Sequence, residues 1–273
     1  MNPAETAARN LDIAFSPCPN DTFMFDALVH GRIDTGGLRV TAHLHDIDEL
    51  NRRALARTWP VTKMSFFAWL KMRHDYAILD AGAALGYGCG PLLVSRRPDR
   101  FSADAIVAIP GELTTAHLLL KLWQPDIRHT RVTRFDHIMP GVADGTYDAG
   151  VIIHEGRFVY PRYGLEKIID LGQWWETETG LPIPLGCIAI RSDAATGDRQ
   201  PAVETAIRKS IRYARNHPAA SRDYIRCHAR ELEETVIDSH IELYVNEFSL
   251  SLGETGRQAV TTLKERARWA EIL

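Results

Sequence analysis

Short apolar segments alternate with helical segments along the first 190 residues, and the alternation runs through twice. In the first pass, LDIAF reads as a strand, SPCPND as a loop, and TFMFDALVHG as a helix closed by Gly31. LRVTAHLHD then alternates as a strand, IDELNRRALA has helical spacing, and VTKMSF, AILDAGAAL and GPLLVSRR supply three more extended segments. The pattern restarts at Ala105. AIVAIPG is a strand ending in Pro-Gly, TTAHLLLKLW an apolar-faced helix, RVTRF a strand, MPGVADGTY a short helix, GVII a strand and LPIPLGCIAIR an extended return. Strand–helix alternation predicts an α/β architecture with parallel strands. Beyond Arg191 the strands stop. AVETAIRKSIRYARNH brings Val203, Ile207, Ile211 and Ala214 to one helical face, with Pro201 in its first turn and Pro218 at its end. ETVIDSHIELYVNEF and ETGRQAVTTLKERARWA read as further helices.

Two α/β blocks and a helical tail predict two lobes with a cleft between them. The expected division is a larger lobe of residues 1–93 plus 190–273 and a smaller inserted lobe of 94–189. GPLLVSRR going out and CIAIR coming back would be the hinge strands. One continuous doubly wound sheet fits the same count of elements, and pattern does not choose between the two. A chain of 273 residues that is 45% hydrophobic can bury a sizeable core, and a net charge of −3 points away from nucleic acid. MNPAETAARN is polar, the first apolar run is soon broken by Pro17 and Pro19, and no segment approaches the ~20 apolar residues of a membrane span. Four scattered cysteines without metal-ligand spacing fit a reduced, cytoplasmic chain. Nothing in the sequence speaks to oligomeric state.

In open α/β sheets ligands bind outside the carboxyl ends of the strands, which directs attention to four loops. SPCPND holds its path with two prolines. It is either a rigid ligand loop in which Ser16 or Asn20 bonds a substrate, or a stiff turn in which Asn20, Asp21 or Thr22 caps a helix. In TKMSF, Lys63 and Ser65 fall on one side of an extended segment, suited to a carboxylate. A surface lysine beside a backbone-bonded serine fits the same pattern. PGELTTAH turns at Gly111 and opens a helix at Thr114 and Thr115, where free N–H groups and hydroxyls favour a monoanion, or simply cap the helix. It lacks the Gly-Lys-Ser/Thr of a nucleotide loop. The fourth loop follows GVII and carries His154, a general base if it projects into the cleft and a structural histidine otherwise. HEGRF is not HExxH, and Glu155 and Arg157 read as a surface ion pair. Cys18 has no histidine at recognisable spacing and reads as an inert thiol. GYGCG runs into a strand, not the helix of a dinucleotide site, and His43 and His45 lack a third ligand, so no metal is expected.

With these residues in hand, the chain resembles the 1,4-dihydroxy-6-naphthoate synthase family of the futalosine route to menaquinone. SPCPNDTF, ALVHGR, TKMS, GELTTA and IIHEGRFVYPRYGL carry the resemblance, which runs from about Leu11 through DLGQWWETETGLPIPLG to YVNEFSLSLGE. It implies a type II periplasmic-binding-protein-like α/β fold with two lobes. It implies a small-molecule substrate with a bicyclic carboxylate, cyclic dehypoxanthinylfutalosine, cleaved without a cofactor. By the same resemblance His154 is the base, and Lys63, Met64, Ser65, Thr114 and Thr115 belong to substrate-contacting segments. Glu112, beside the threonines, is expected to point away, and Phe15, Phe23 and Phe158 either wall a ring or pack the core. A solute-binding protein using the same cleft without chemistry, and the related chorismate dehydratase, are the competing readings.

Overall fold

The computed structural model describes residues 10–230 and 233–273. Most of the polar N-terminal stretch therefore lies outside the described residues. The first pass of the alternation forms β1 (Asn10–Phe15), α1 (Pro19–Val29), β2 (Arg39–Leu44), α2 (Ile47–Leu55), β3 (Val61–Ser65), α3 (Phe66–Met72), β4 (Tyr76–Ile78) and β5 (Ala84–Gly86). The second forms β6 (Leu92–Ser95), β7 (Ile106–Ile109), α4 (Thr115–Trp123), β8 (His129–Val132), α5 (Phe135–Ala143), β9 (Ala149–Ile152), α6 (Gly156–Val159), β10 (Glu166–Asp170) and α7 (Leu171–Thr179). The return strand is β11 (Ile183–Arg191). The tail is α8 (Arg199–Asn216), α9 (Arg222–His228), α10 (Glu234–Tyr244), α11 (Glu247–Leu250) and α12 (Gly253–Trp269).

The strands sort into two sheets, not one. The first has the order β2-β1-β3-β11-β4, with β5 also pairing with β11; the second has the order β10-β6-β9-β7-β8. The parallel pairing expected from the alternation holds for β1 with β2 and β3, and for β7 with β8 and β9. Each sheet also takes antiparallel members: β11 runs against β3, β4 and β5, and β6 runs against β9 and β10. A parallel neighbour needs a crossover connection of a dozen or more residues. Strands delivered directly from the other sheet enter antiparallel. The two expected hinge strands are thus ordinary members of one sheet each, and the chain crosses just before β6 and just before β11.

At the first crossing the backbones touch. A Cβ added to Gly90 would sit 2.2 Å from the Gly172 Cα, so only glycine fits. Arg157 clamps the same place, donating to the Gly90 carbonyl (2.5 Å) and to Asp170 (2.8 Å). Glu155, expected in a surface ion pair with Arg157, is buried.

One apolar core joins the sheets. It runs from Met64 and Leu85 of the first, through Val107 and Val151 of the second, to Ala259 and Leu263 of α12, and takes in Phe66 of α3 and Leu118 of α4. A second core packs α1 and α8 on the other face of the first sheet, through Phe25, Ile188, Val203, Ile207 and Ile211. Three of those positions are the ones whose spacing predicted the α8 face. ETVIDSHIELYVNEF forms two helices, because Asn246 interrupts it and caps α11, accepting from the Phe248 N–H at 2.9 Å. No helix among the described residues is long and apolar enough to cross a membrane.

Candidate active site

About 560 Å³ of space, counting the part that opens to solvent, lies between the sheets. Its wall includes Asn20, Lys63 and Ser65 from the first sheet's side and Thr114, Thr115, Ala116, Ile153 and His154 from the second's. These come from the carboxyl ends of β1, β3, β7 and β9, where an α/β sheet exposes the loops that touch ligands.

On the first side, the backbone of SPCPND swings straight into α1, whose N-cap is Cys18 and which has no side-chain cap. Asn20, Asp21 and Thr22 lie inside the first turn, all buried, in place of the capping role expected for one of them. Asn20 and Asp21 are thereby free for longer-range bonds. The Asp21 carboxylate accepts from the Ser16 amide (3.0 Å), the Ser16 hydroxyl (2.5 Å), Asn20 Nδ2 (2.9 Å) and the Lys63 ammonium. Lys63 is no surface lysine: it is 4% exposed, and the ion pair with Asp21 is what permits its burial.

Alternation along β3 sends Lys63 and Ser65 to the cavity and turns Met64 into the core. Ser65 Oγ accepts from Asn51 Nδ2 (3.0 Å), and the Ser65 amide donates to Asn51 Oδ1 (2.9 Å). The Ser65 side chain lines the cavity, and its hydroxyl, which accepts from Asn51, still has a hydrogen to donate to a ligand. Ser16 and Met64 are not part of the wall.

On the second side, Thr114 is the N-cap of α4. Its hydroxyl donates to the Gly111 carbonyl (2.7 Å) and accepts from the His117 amide (3.2 Å). Thr115 Oγ1 donates to the Leu185 carbonyl (2.8 Å) and accepts from the Phe67 amide (3.2 Å). Both threonine hydroxyls therefore serve the fold. What the helix end offers the cavity is the pair of first-turn amides, Thr115 and Ala116, which have no partner within the helix. Glu112 is exposed and absent from the wall.

His154 stands two residues past β9 with φ +57°, a left-handed conformation unusual for a residue with a Cβ. Its ring lies edge-on to Phe135, centroids 5.2 Å apart, and its Nε2 is buried without a hydrogen-bond partner. Burial, and secondarily the charge of Lys63, pushes the imidazole pKa down to about 3. The ring is neutral at pH 7 and carries a basic lone pair.

The other residues singled out by sequence lie elsewhere. Phe15 and Phe23 pack the α1 core, and Phe158 packs against Val159 and its neighbours. Cys18 is buried, and burial first, then Glu155, raises its thiol pKa well above the ordinary value, which keeps it protonated. His43 bonds Asp12 (2.8 Å), and the rings of His43 and His45 both lie against Trp59. Three residues near the cavity were not singled out by sequence. Asp21 reads as a helix cap, and His240 and Tyr244 sit at helical spacing with Val236 and Ile237 on the buried face of α10. A histidine on a core face was the one available signal.

Two sheets, a cleft between them that carries a few polar groups, and the two chain crossings define a binding-protein-like fold. A solved Candida albicans protein described as having the generic periplasmic-binding-protein fold superposes with TM-score 0.66 at 13% identity, covering 97% of this chain and 90% of that one. A solved protein of Archaeoglobus fulgidus is closer, with TM-score 0.92, 35% identity and coverage of 97% and 99%.

The chain belongs to the menaquinone-biosynthesis family, whose pattern it matches over residues 11–269. It is 48% identical over 253 residues to a 1,4-dihydroxy-6-naphthoate synthase of Thermus thermophilus, covering 93% of this chain and 92% of that protein. It is 45% identical over 269 residues to one of Streptomyces coelicolor, covering 96% and 94%.

Proposed function

We propose that this chain is a 1,4-dihydroxy-6-naphthoate synthase, a carbon–carbon lyase acting on cyclic dehypoxanthinylfutalosine, with His154 as the base. The observation that carries the chemistry is a neutral imidazole at the wall of the interlobe cavity, its Nε2 buried and without a partner. Relatedness at 45% and 48% identity over nearly the whole chain supports the choice of reaction.

His154 removes a hydroxyl proton from the sugar-derived part of the substrate. The alkoxide collapses by retro-aldol-like cleavage: a carbonyl forms at the carbon that bore the hydroxyl, the bonding pair leaves with the other fragment, which takes back the proton from His154, and the bicyclic product reaches its aromatic dihydroxy form by keto–enol tautomerism. The step is redox-neutral, so no cofactor enters the proposal. The substrate carboxylate is held by the Ser65 hydroxyl and the Thr115 and Ala116 amides at the positive end of α4. An anion there opposes the effect of Lys63 on the imidazole, so the base strengthens when substrate is in place. A two-lobe division, expected at 1–93 with 190–273 against 94–189, is part of the same proposal, with its boundaries moved to the crossings before β6 and β11, since each of those strands belongs wholly to one sheet. So is a cytoplasmic location, supported by four free cysteines.

The test is mass spectrometry of the purified protein with cyclic dehypoxanthinylfutalosine and no added cofactor. Appearance of 1,4-dihydroxy-6-naphthoate is the expected result. Unchanged substrate from folded protein would overturn the proposal and favour a binding protein or the chorismate reaction.

A further inference from the structure

The ring of His240 lies 6.2 Å from that of His154, centroid to centroid, with the planes at 24°, and the reaction as written does not use it. It is fully buried. Its Nε2 is 3.0 Å from Asn20 Oδ1. The other end of that amide, Nδ2, donates to the Asp21 carboxylate, which offers only acceptors. The amide orientation is thereby fixed: oxygen faces His240, so His240 Nε2 carries a hydrogen. Burial first, then His154 and Lys63, hold the imidazole pKa well below its ordinary value, so the ring is neutral and has no second hydrogen. Nδ1 is left as a bare lone pair, buried and without a hydrogen-bond partner, 3.9 Å from Glu155 Oε2. Leaving two neighbouring imidazole nitrogens desolvated and unbonded is costly, and a fold that retains both invites a functional account.

We propose that His240 is a positioning residue for His154, the internal acceptor that stabilises the base once it has taken up the substrate's proton. This rests on the reaction given above. In neutral His154 the nitrogen that takes the substrate's proton is bare, so the other already carries the ring's one hydrogen; protonation turns that inward N–H into a charge-assisted donor. The bare Nδ1 of His240 is the acceptor on the neighbouring ring. One proton moves throughout. The substrate O–H breaks, an N–H forms on His154, the charge is shared with His240 while the alkoxide collapses, and the proton then passes to the carbon released by cleavage. The shared charge has acceptors ready, with Glu155 beside Nδ1 and Asn20 Oδ1 at Nε2. Other ionisable groups around the pair, among the described residues, include Lys63, Asp21, Cys18 and Tyr244. Burial raises the pKa of both Cys18 and Tyr244, so neither competes as a base.

His240→Gln keeps an N–H for Asn20 and removes the basic nitrogen. With cyclic dehypoxanthinylfutalosine as substrate, kcat should fall on the order of 10- to 100-fold, less than for loss of the base itself, with KM little changed. The acid limb of the kcat profile should move to lower pH, because protonated His154 loses its acceptor; a purely structural role would not move it. Undiminished kcat, or a loss confined to KM or to thermal stability, overturns the inference. Nitrogen-15 NMR of the histidines in the unaltered protein is independent of whether the variant folds. It should find His240 hydrogen-bearing at Nε2 only, and a hydrogen at Nδ1 would equally overturn the inference. Absence of product from the unaltered protein would instead reject the reaction and leave the tautomer assignment standing.

Discussion

On the first sheet's side of the cavity, the loop after β1 and the end of β3 gather Ser16, Asn20, Asp21 and Lys63, and each of these is bonded to Asp21 or, in its case, to the other three. On the second sheet's side, the loop after β7 and the end of β9 bring up a helix N-terminus and His154, whose Nε2 has no partner. The two sides use the same local device, a strand feeding a loop at a sheet's carboxyl edge. They differ in whether the polar groups satisfy one another. A closed polar network in a low-dielectric setting is rigid and sets a fixed field, whereas an unmatched group is costly in isolation and available to a ligand. In the proposed reaction the first side supplies scaffold and charge, and the second supplies the reacting group. The backbone agrees: His154 is held at φ +57°, the kind of local strain that folds retain at working sites.

The sharpest way to break this contrast is to alter one side at a time. His154→Gln should lower turnover by about 10²–10⁴-fold while leaving the fold intact, as read by kcat alongside a denaturation curve. Asp21→Asn should do the opposite in kind. With the ammonium of Lys63 left buried beside a neutral amide, stability should drop by roughly 3–5 kcal/mol in urea titration. A loss under ~1 kcal/mol, the range of an exposed pair, would mean that the first side is not the rigid one. Ser65→Ala removes one hydrogen bond to the proposed carboxylate and should weaken substrate binding by roughly tenfold, about 1.5 kcal/mol, by calorimetry. Equal affinity would place the anion elsewhere.

A further test lies in the pH dependence of stability. His154 is held at about 3 against an ordinary 6.5. Between those values the unfolded chain binds a proton that the folded chain does not. The stability from this group is therefore complete above pH 6.5 and is lost as the pH falls toward 3. His240 and His117 are shifted in the same direction, both chiefly by burial. The thermal midpoint should decline on acidification from about pH 6.5, and less steeply in His154→Gln. Equal slopes would show that the imidazole is not desolvated as the structure has it.

Much of the fold is legible in the residues. Most strand segments from LDIAF to GPLLVSRR and from AIVAIPG to LPIPLGCIAIR appear where period and turn residues put them, and the α8 face is the predicted one; AILDAGAAL, expected as one extended segment, is instead split by a bend into the end of β4 and the start of β5. What pattern missed were pairings that depend on distant chain. β11 joins β3 antiparallel, and Asn246 splits the α10–α11 segment because its side chain caps the second helix. At the site, Lys63 and Ser65 reach the cavity by simple alternation on β3, and the same alternation turns Met64 inward. The roles of Asn20 and Asp21 were harder to see. A polar residue at a helix start looks like a cap whether or not its side chain turns back, and here the turn back is toward residues 42 and 220 positions away.

By itself the sequence determined the order of elements, the faces they bury and the chemical types carried at each strand end, because these follow from short-range period and sterics. Only the tertiary structure decided that a buried aspartate holds Lys63, that Thr114 and Thr115 give their hydroxyls to the backbone, and that His240 lies against His154. Each of these depends on which groups are removed from water together, and burial, unlike period, is a property of the whole folded chain.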